Sequence, residues 1–315
     1  MYEKWKGVHT RCAFNMIQEL IPLTRPRTLA AALGPTILGA AFSYYAFGAA
    51  QGTGLAILHT VLIFLAVVTA QIVANLWNEY KDFKSGLDAG QKVGNAGSIT
   101  RGVITPELII TMIKVLMFVP ITIGLYLSTT ITWYYIPVGF LCILISFLYS
   151  GGPKPISRTP FGEISSGIAM GFAIVLITGY AWTRELFLAL LIPAIPSTLL
   201  VGSIMLTNNI RDIRNDESHG RHTLPIVLGR ERALSLMSIS YIFNFIWIIA
   251  WIIIGHMTWF ALLAFLAAPL AFKTIHTLST NTDEFQLDKA MGTTAGAAMI
   301  YQLMWAIGLI MGKLF

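Results

Sequence analysis

Long apolar runs alternate with short polar stretches along almost the whole chain. Runs near 28–48, 55–77, 107–127, 131–150, 162–182, 186–207, 233–255, 257–275 and 291–312 each hold about 20 mostly apolar residues, the length an α-helix needs to cross a bilayer. Within each run the apolar residues follow one another rather than alternating with polar ones. This predicts helices, which pair all their backbone groups internally, and not barrel strands. The expected fold class is therefore all-α: a polytopic membrane protein, a bundle of nine transmembrane helices forming one domain over 1–315. The segment 1–27 is polar and amphipathic, with no apolar core before a small-residue site, so no cleavable signal is expected there.

Two polar clusters interrupt this pattern where it should be most apolar. The first is Asn75-Leu-Trp-Asn78-Glu79-Tyr-Lys-Asp82, with Asp88 beyond it; the second is Asn208-Asn209-Ile-Arg211-Asp212-Ile-Arg-Asn-Asp216. Each stands at the C-terminal end of a membrane-length run, the second and the sixth, where carboxylates are expensive to place. Asn75, Asn78, Glu79 and Asp82 are spaced i, i+3, i+4, i+7, and Asn208, Asp212 and Asp216 are spaced i, i+4, i+8. On helices that protrude from the bilayer each set is one polar stripe. Two such stripes face to face would line a cavity with oxygen. The clusters lie 133 residues apart, each after an even-numbered run, which hints at a repeat of runs one to four in runs five to eight.

Composition agrees with the membrane reading: of 315 residues 56% are hydrophobic and 11% charged, and the mean hydropathy is +0.70. Charge adds an orientation. Eighteen of the 21 Lys and Arg residues fall in the N-terminal segment or in the loops after even-numbered runs, leaving only Arg184 and Lys313 opposite and Lys114 within a run. The loaded side is predicted to be cytoplasmic, with the N-terminus inside, the C-terminus outside and the cell membrane as the location. Fourteen of the 15 acidic residues share that side, which positive-inside topology does not require, so the cytoplasmic face is expected to be the working face. The net charge of +6 is explained by anionic membrane lipid and an anionic substrate, and no nucleic acid is needed. Cys12 and Cys142 suggest neither a disulfide framework nor a metal site.

Magnesium takes hard oxygen ligands, commonly one or two carboxylates completed by water and substrate phosphate. Asn78, Asp82, Asp88, Asp212 and Asp216 supply four carboxylates and an amide as candidate Mg2+ ligands. Basic residues follow each cluster: Arg101 in Gly97-Ser-Ile-Thr-Arg101, and Arg221 in His219-Gly-Arg221-His-Thr-Leu-Pro. Guanidinium is well shaped for phosphate. Acids and bases around an apolar bundle imply an amphiphile with an anionic head. Other charges have plainer readings. Lys81, Lys84, Arg230 and Arg232 read as topology determinants, and Glu163, which opens the fifth run, reads as a helix-dipole partner. His59 and His256 read as interface residues.

The strings Asn75-Leu-Trp-Asn-Glu-Tyr-Lys-Asp82-Phe, Tyr149-Ser-Gly-Gly-Pro-Lys154-Pro, Thr159-Pro-Phe-Gly-Glu163, Asn208-Asn-Ile-Arg-Asp212 and Arg221-His-Thr-Leu-Pro-x-x-Leu-Gly229 resemble the UbiA superfamily of intramembrane prenyltransferases, and within it the 1,4-dihydroxy-2-naphthoate polyprenyltransferases. Thr24-Arg25-Pro-Arg27-Thr-Leu resembles the N-terminal signature of that family, and the likeness runs from about residue 20 to 312. The first motif departs from the usual pattern: Glu79 stands where many members have Asp, and the last acid is Asp88 rather than the position four beyond Asp82, which is Gly86. The resemblance implies Mg2+-dependent transfer of a polyprenyl group from polyprenyl diphosphate to 1,4-dihydroxy-2-naphthoate, with loss of CO2 and diphosphate. It implies catalytic roles for Asp82, Asp212, Asp216 and Arg221. Diphosphate contacts are implied for Arg101, Lys154, Arg158 and Arg221, and aromatic-substrate contacts for Arg25, Arg27, Tyr149, Asn75 and Asn208.

Two rival readings remain at this level. One is a relative using another acceptor, such as 4-hydroxybenzoate, homogentisate, haem or a lipid. The other is a secondary transporter, although transporters usually place ionisable residues near the midplane in broken helices, whereas these cluster at one face. A CDP-alcohol phosphotransferase would carry Asp-Gly-x-x-Ala-Arg, which this chain does not contain.

Overall fold

The computed structural model describes residues 20–86 and 97–315, and Asp88 lies outside them. The described chain is all helix and loop. We number the main helices α1 (Ala30–Phe47, entered through a 3-10 turn at Pro26–Leu29), α2 (Thr53–Ser85), α3 (Pro106–Thr130), α4 (Tyr135–Ser150) and α5 (Gly162–Thr183). They continue with α6 (Leu191–Arg211), α7 (Arg230–Ile253), α8 (Trp259–Thr280) and α9 (Glu284–Leu314). Among the described residues eight helices are long and apolar enough to cross a membrane. The predicted run 131–150 is the exception. It begins with a turn, leaving α4 with 16 residues, about 24 Å at the usual rise and short of a ~30 Å hydrocarbon core.

Local chemistry sets the ends. Thr105 caps α3 by accepting the Leu108 amide at 3.2 Å, with Pro106 in the first position, where a missing N–H costs nothing. Asp283 caps α9 in the same way through the Gln286 amide. The second predicted run ends near residue 77, but no glycine or proline interrupts the chain from Leu55 to Ser85. The helix therefore continues to Gly86, whose φ of 75° makes the left-handed stop. Those extra two turns carry the first polar cluster beyond the apolar part of α2.

The main core joins α1, α6, α7, α8 and α9 through Leu38, Phe42, Ile204, Met237, Tyr301 and Trp305. A second cluster sets α2 against α3 through Val73, Leu76, Ile109 and Ile113, and a third joins α2, α3, α4 and α5 through Ile63, Leu127, Tyr135 and Ala181. Phe118, Phe140 and Phe272 point outward, as side chains facing lipid should. Helix α5 comes very close to α6, because a Cβ on Gly167 or Gly171 would stand 2.5 Å from the Thr198 or Ser197 carbonyl oxygen. Small residues are the usual means of close approach in apolar surroundings. Buried polar pairs, Ser197 with Gln302 and Thr207 with Thr294, tie α6 to α9.

The helices alternate in direction, so the starts of α1, α5, α7 and α9 gather with the ends of α2, α4 and α6. Direct contacts establish this: Asn75 to Thr24, Ser150 to Asn78, Asn209 to Glu163, and Arg211 to Asp288. Both polar clusters are therefore at one end of the bundle.

Candidate active site

The first cluster is one stripe on α2, and its members have different tasks. Asn75 Nδ2 donates to the Thr24 carbonyl at 3.0 Å, fixing the entry to α1. Asn78 Oδ1 accepts the Ser150 hydroxyl at 2.9 Å, holding the end of α4. Glu79 is buried, and its Oε1 accepts the amides of Gly97 and Ser98 at 2.9 and 2.8 Å. A carboxylate that receives two backbone amides orders the loop carrying Arg101, whose Nη2 donates to Ser98 Oγ at 3.2 Å. The Glu79 side chain thus reaches from α2 to this loop. Only Asp82 of the four turns its carboxylate toward the second cluster.

The second cluster is not the single helical stripe its spacing predicts. Helix α6 stops at Arg211, Asp212 leaves helical geometry (φ −93°, ψ 6°), and a short helix, Ile213–Ser218, begins after it. The break is local, since the Asp212 and Asp216 amides still bond the carbonyls of Asn208 and Asp212 at 3.1 and 2.9 Å. Its consequence is a division of labour. Asp212 is held bidentately by Arg211, both contacts at 2.7 Å, while Arg211 also reaches Asn208 at 2.8 Å and Asp288 at 2.9 Å. The other oxygen of Asp288 takes Arg27 at 2.7 Å. Asp216 is buried and faces the other way, toward Asp82.

Arg221 joins the two. Its Nη2 lies 2.7 Å from Asp82 Oδ1 and its Nη1 lies 3.4 Å from Asp216 Oδ1. Its loop is anchored by two amides, Arg221 to the Asp216 carbonyl and His222 to the Arg158 carbonyl, both at 3.0 Å. The charges of Arg25 and Arg158 also bear on Asp82. Arg25 itself holds φ at 50°, a left-handed conformation that costs a non-glycine residue about 1–2 kcal/mol. Burial pushes the Asp216 carboxyl up to about 7, against the pull of Arg221 and with the Asp212 and Asp82 charges adding to the rise.

Of the residues expected from sequence, the structure thus brings Asp82, Asp216, Arg221, Arg25 and Arg158 together. Asp212 lies one turn away on the Arg211 side. Tyr149 feels the charges of Glu163, Arg221 and Arg25 and so borders the same place. Asn75, Asn208 and Arg27, which the resemblance sets against the aromatic substrate, make contacts with Thr24, Arg211 and Asp288. Lys154 is exposed on the loop after α4. Among the described residues no three His, Cys, Asp or Glu side chains converge closely enough to hold a metal ion by themselves. Sequence reasoning missed Asp288 and Arg211. Asp288 is not singled out by the sequence, and Arg211 enters there only among the charges of its loop; the signal available was Arg211's position directly before Asp212.

Residues 32–307 match the pattern of the UbiA prenyltransferase family. The chain belongs to that family. This UbiA-family protein is 34% identical to a 1,4-dihydroxy-2-naphthoate octaprenyltransferase of Bacillus subtilis, over 94% of this chain and 93% of the relative. An enzyme of the same name from Escherichia coli is 26% identical over 96% and 99% of the two chains. Among solved structures, the apo form of a UbiA homolog from Aeropyrum pernix K1 has a TM-score of 0.67 at 18% identity, covering 90% of this chain and 97% of that one. A UbiA homolog from Archaeoglobus fulgidus bound to DMAPP and Mg2+ has a TM-score of 0.59 at 16% identity, covering 92% and 99%. The UbiA fold is thus shared along nearly the full chain, and the protein is a multi-pass membrane transferase.

Proposed function

We propose that this protein transfers a polyprenyl group from polyprenyl diphosphate to 1,4-dihydroxy-2-naphthoate, releasing CO2 and diphosphate and giving demethylmenaquinol. The observation that carries this reading is the bridge from Asp82 through Arg221 to Asp216, which sets two buried carboxylates and a guanidinium from separate halves of the chain around one point at the end of an apolar bundle. The names of the relatives from Bacillus subtilis and Escherichia coli supply the acceptor. The Archaeoglobus fulgidus complex supports a prenyl diphosphate with Mg2+ as the other substrate.

The donors fit magnesium. Asp82 and Asp216 offer hard oxygens held close by a positive charge, and magnesium commonly takes one or two carboxylates and completes its shell with water and diphosphate oxygens. Asp82, Asp216 and, once released by Arg211, Asp212 would hold it, with Asn78 and Asp88 as the remaining expected ligands. When bound, Mg2+ supplies charge stabilisation for the departing diphosphate. Arg221, Arg158, Arg101 and Lys154 add to that stabilisation from the protein. The prenyl tail lies along the apolar interior toward lipid. As the allylic carbon–oxygen bond breaks, its electron pair leaves on diphosphate. The bundle excludes water from the resulting cation, and the electron-rich ring captures it. Arg25 is the basic residue best placed for the acceptor carboxylate, and Tyr149 for its ring. The working end faces the cytoplasm.

The test is to supply membranes containing the protein with labelled polyprenyl diphosphate and, separately, naphthoate, 4-hydroxybenzoate, homogentisate, haem and lipid acceptors. Transfer to 1,4-dihydroxy-2-naphthoate alone is expected; preferential transfer to another acceptor overturns the assignment. Turnover in detergent, where there are no compartments, excludes a transporter.

A further inference from the structure

One buried carboxylate beside the diphosphate site keeps an oxygen without a partner among the described residues. Glu163, the second residue of α5, stands in the first turn of that helix, where an acid suits the helix dipole, and its carboxylate has a second task. Its side chain crosses to α6, where Oε1 accepts from Asn209 Nδ2 at 2.8 Å. The residue is 5% exposed, and Oε2 is buried with no hydrogen-bond partner among the described residues. Leaving a buried polar atom unsatisfied costs about 1–3 kcal/mol, and more when it is charged. In surroundings of low polarity the same atom is a strong acceptor for any donor that reaches it.

The neighbourhood fixes what that donor would be. Gly162 carries the backbone past the Tyr149 hydroxyl and the Asn209 amide, which lie 3.4 and 4.0 Å from the place a Cβ would occupy. Tyr149, whose hydroxyl bonds the Ser166 side chain, feels the charges of Glu163, Arg221 and Arg25, so it lies near both the orphan carboxylate and the Arg221 bridge. Immediately beyond, α5 makes a π-helical turn at Gly167–Phe172. Such turns are rare and occur mostly at functional sites, and this one is pressed against α6 through Gly167 and Gly171.

We propose that Glu163 is an acceptor-recognition residue, whose Oε2 takes a hydrogen bond from one ring hydroxyl of the aromatic substrate while Tyr149 lines the ring. The proposal rests on the reading of the acceptor given above. A phenolic O–H donating to a carboxylate raises electron density in the ring, and does so where the cation is to be captured. No proton has to leave. The ring π pair forms the new carbon–carbon bond, the allylic carbon–oxygen pair departs on diphosphate, and the pair of the breaking bond to the carboxyl group restores the ring as CO2 leaves.

The experiment compares 1,4-dihydroxy-2-naphthoate with its two monohydroxy analogues, 1-hydroxy- and 4-hydroxy-2-naphthoate, on wild type, Glu163→Gln and Glu163→Asp. Glutamine keeps an oxygen for Asn209 but removes the anionic acceptor; aspartate keeps the charge but shortens its reach. In either folded variant kcat/KM for the dihydroxy acceptor is expected to fall roughly ten- to a hundred-fold. Preference over one analogue should collapse, and the KM for prenyl diphosphate should stay within about twofold of wild type. Full retention of the wild-type preference over both analogues in whichever variant folds overturns the proposal. A wild-type protein that uses none of the three naphthoates instead overturns the acceptor reading on which it rests.

Discussion

At the scale of the residue, Arg221 is the side chain on which the site turns. It meets Asp82 and Asp216 together, and both carboxylates are buried. Arg221→Gln leaves the two carboxylates without the cation that bridges them. We expect the KM for prenyl diphosphate to rise about tenfold or more, equivalent to about 1.4 kcal/mol or more, with the acceptor KM within about twofold. Equal losses for the two substrates in steady-state kinetics would contradict a diphosphate role. Asp216 adds a pH signature. Its carboxyl is raised to about 7 in the folded protein, against about 3.9 in an unfolded chain, so between those values the folded state holds the proton more tightly. Stability of the metal-free protein contributed by this group is present at low pH and is lost as pH rises through that window. A divalent cation must displace the proton, so Mg2+ should raise the unfolding midpoint more at about pH 8 than at about pH 6. Equal shifts at both pH values, or the same pH dependence in Asp216→Asn, contradict this.

At the scale of the element, the contact of α5 with α6 places Glu163 and Asn209, and it is set by glycine. Gly171→Ala puts a methyl group 2.5 Å from the Ser197 carbonyl oxygen. Overpacking of this kind typically costs about 1–3 kcal/mol, which thermal unfolding in detergent measures. Gly292→Ala on α9 is the control, because nothing lies within 4 Å of the added carbon, and its midpoint should not fall. The helices themselves were legible in the sequence because a bilayer leaves the backbone few choices: unbroken apolar runs gave α1 to α3 and α5 to α9 to within several residues. The extra turns of α2 were hidden because its polar end reads as a loop although no residue stops the helix before Gly86. The first stripe was legible because it stays on that helix. The second was not, because Arg211 competes for Asp212 at the point where α6 breaks, and pairings such as Arg211 with Asp288, 77 residues apart, leave no trace in local periodicity. The contact of Glu163 with Asn209 was hidden for the same reason: its partner is on another helix.

At the scale of the molecule, one end of the bundle gathers both polar clusters and the other carries very little charge. The account places the working end in the cytoplasm, with the C-terminus outside. Reporter fusions at Phe315 should be active only in their extracytoplasmic form, and a cytoplasmic C-terminus would reverse the topology. The central claim is that carboxylates from two helices act together on a prenyl diphosphate. The most direct measurement is mass spectrometry of the product formed by the purified protein in detergent from polyprenyl diphosphate and 1,4-dihydroxy-2-naphthoate, with and without Mg2+, for wild type and for folded Asp82→Ala. The account predicts a prenylated product lacking the carboxyl group, made by wild type only when Mg2+ is present and not made by Asp82→Ala. Transfer by Asp82→Ala at the wild-type rate, or no transfer by folded wild type with Mg2+, would contradict it.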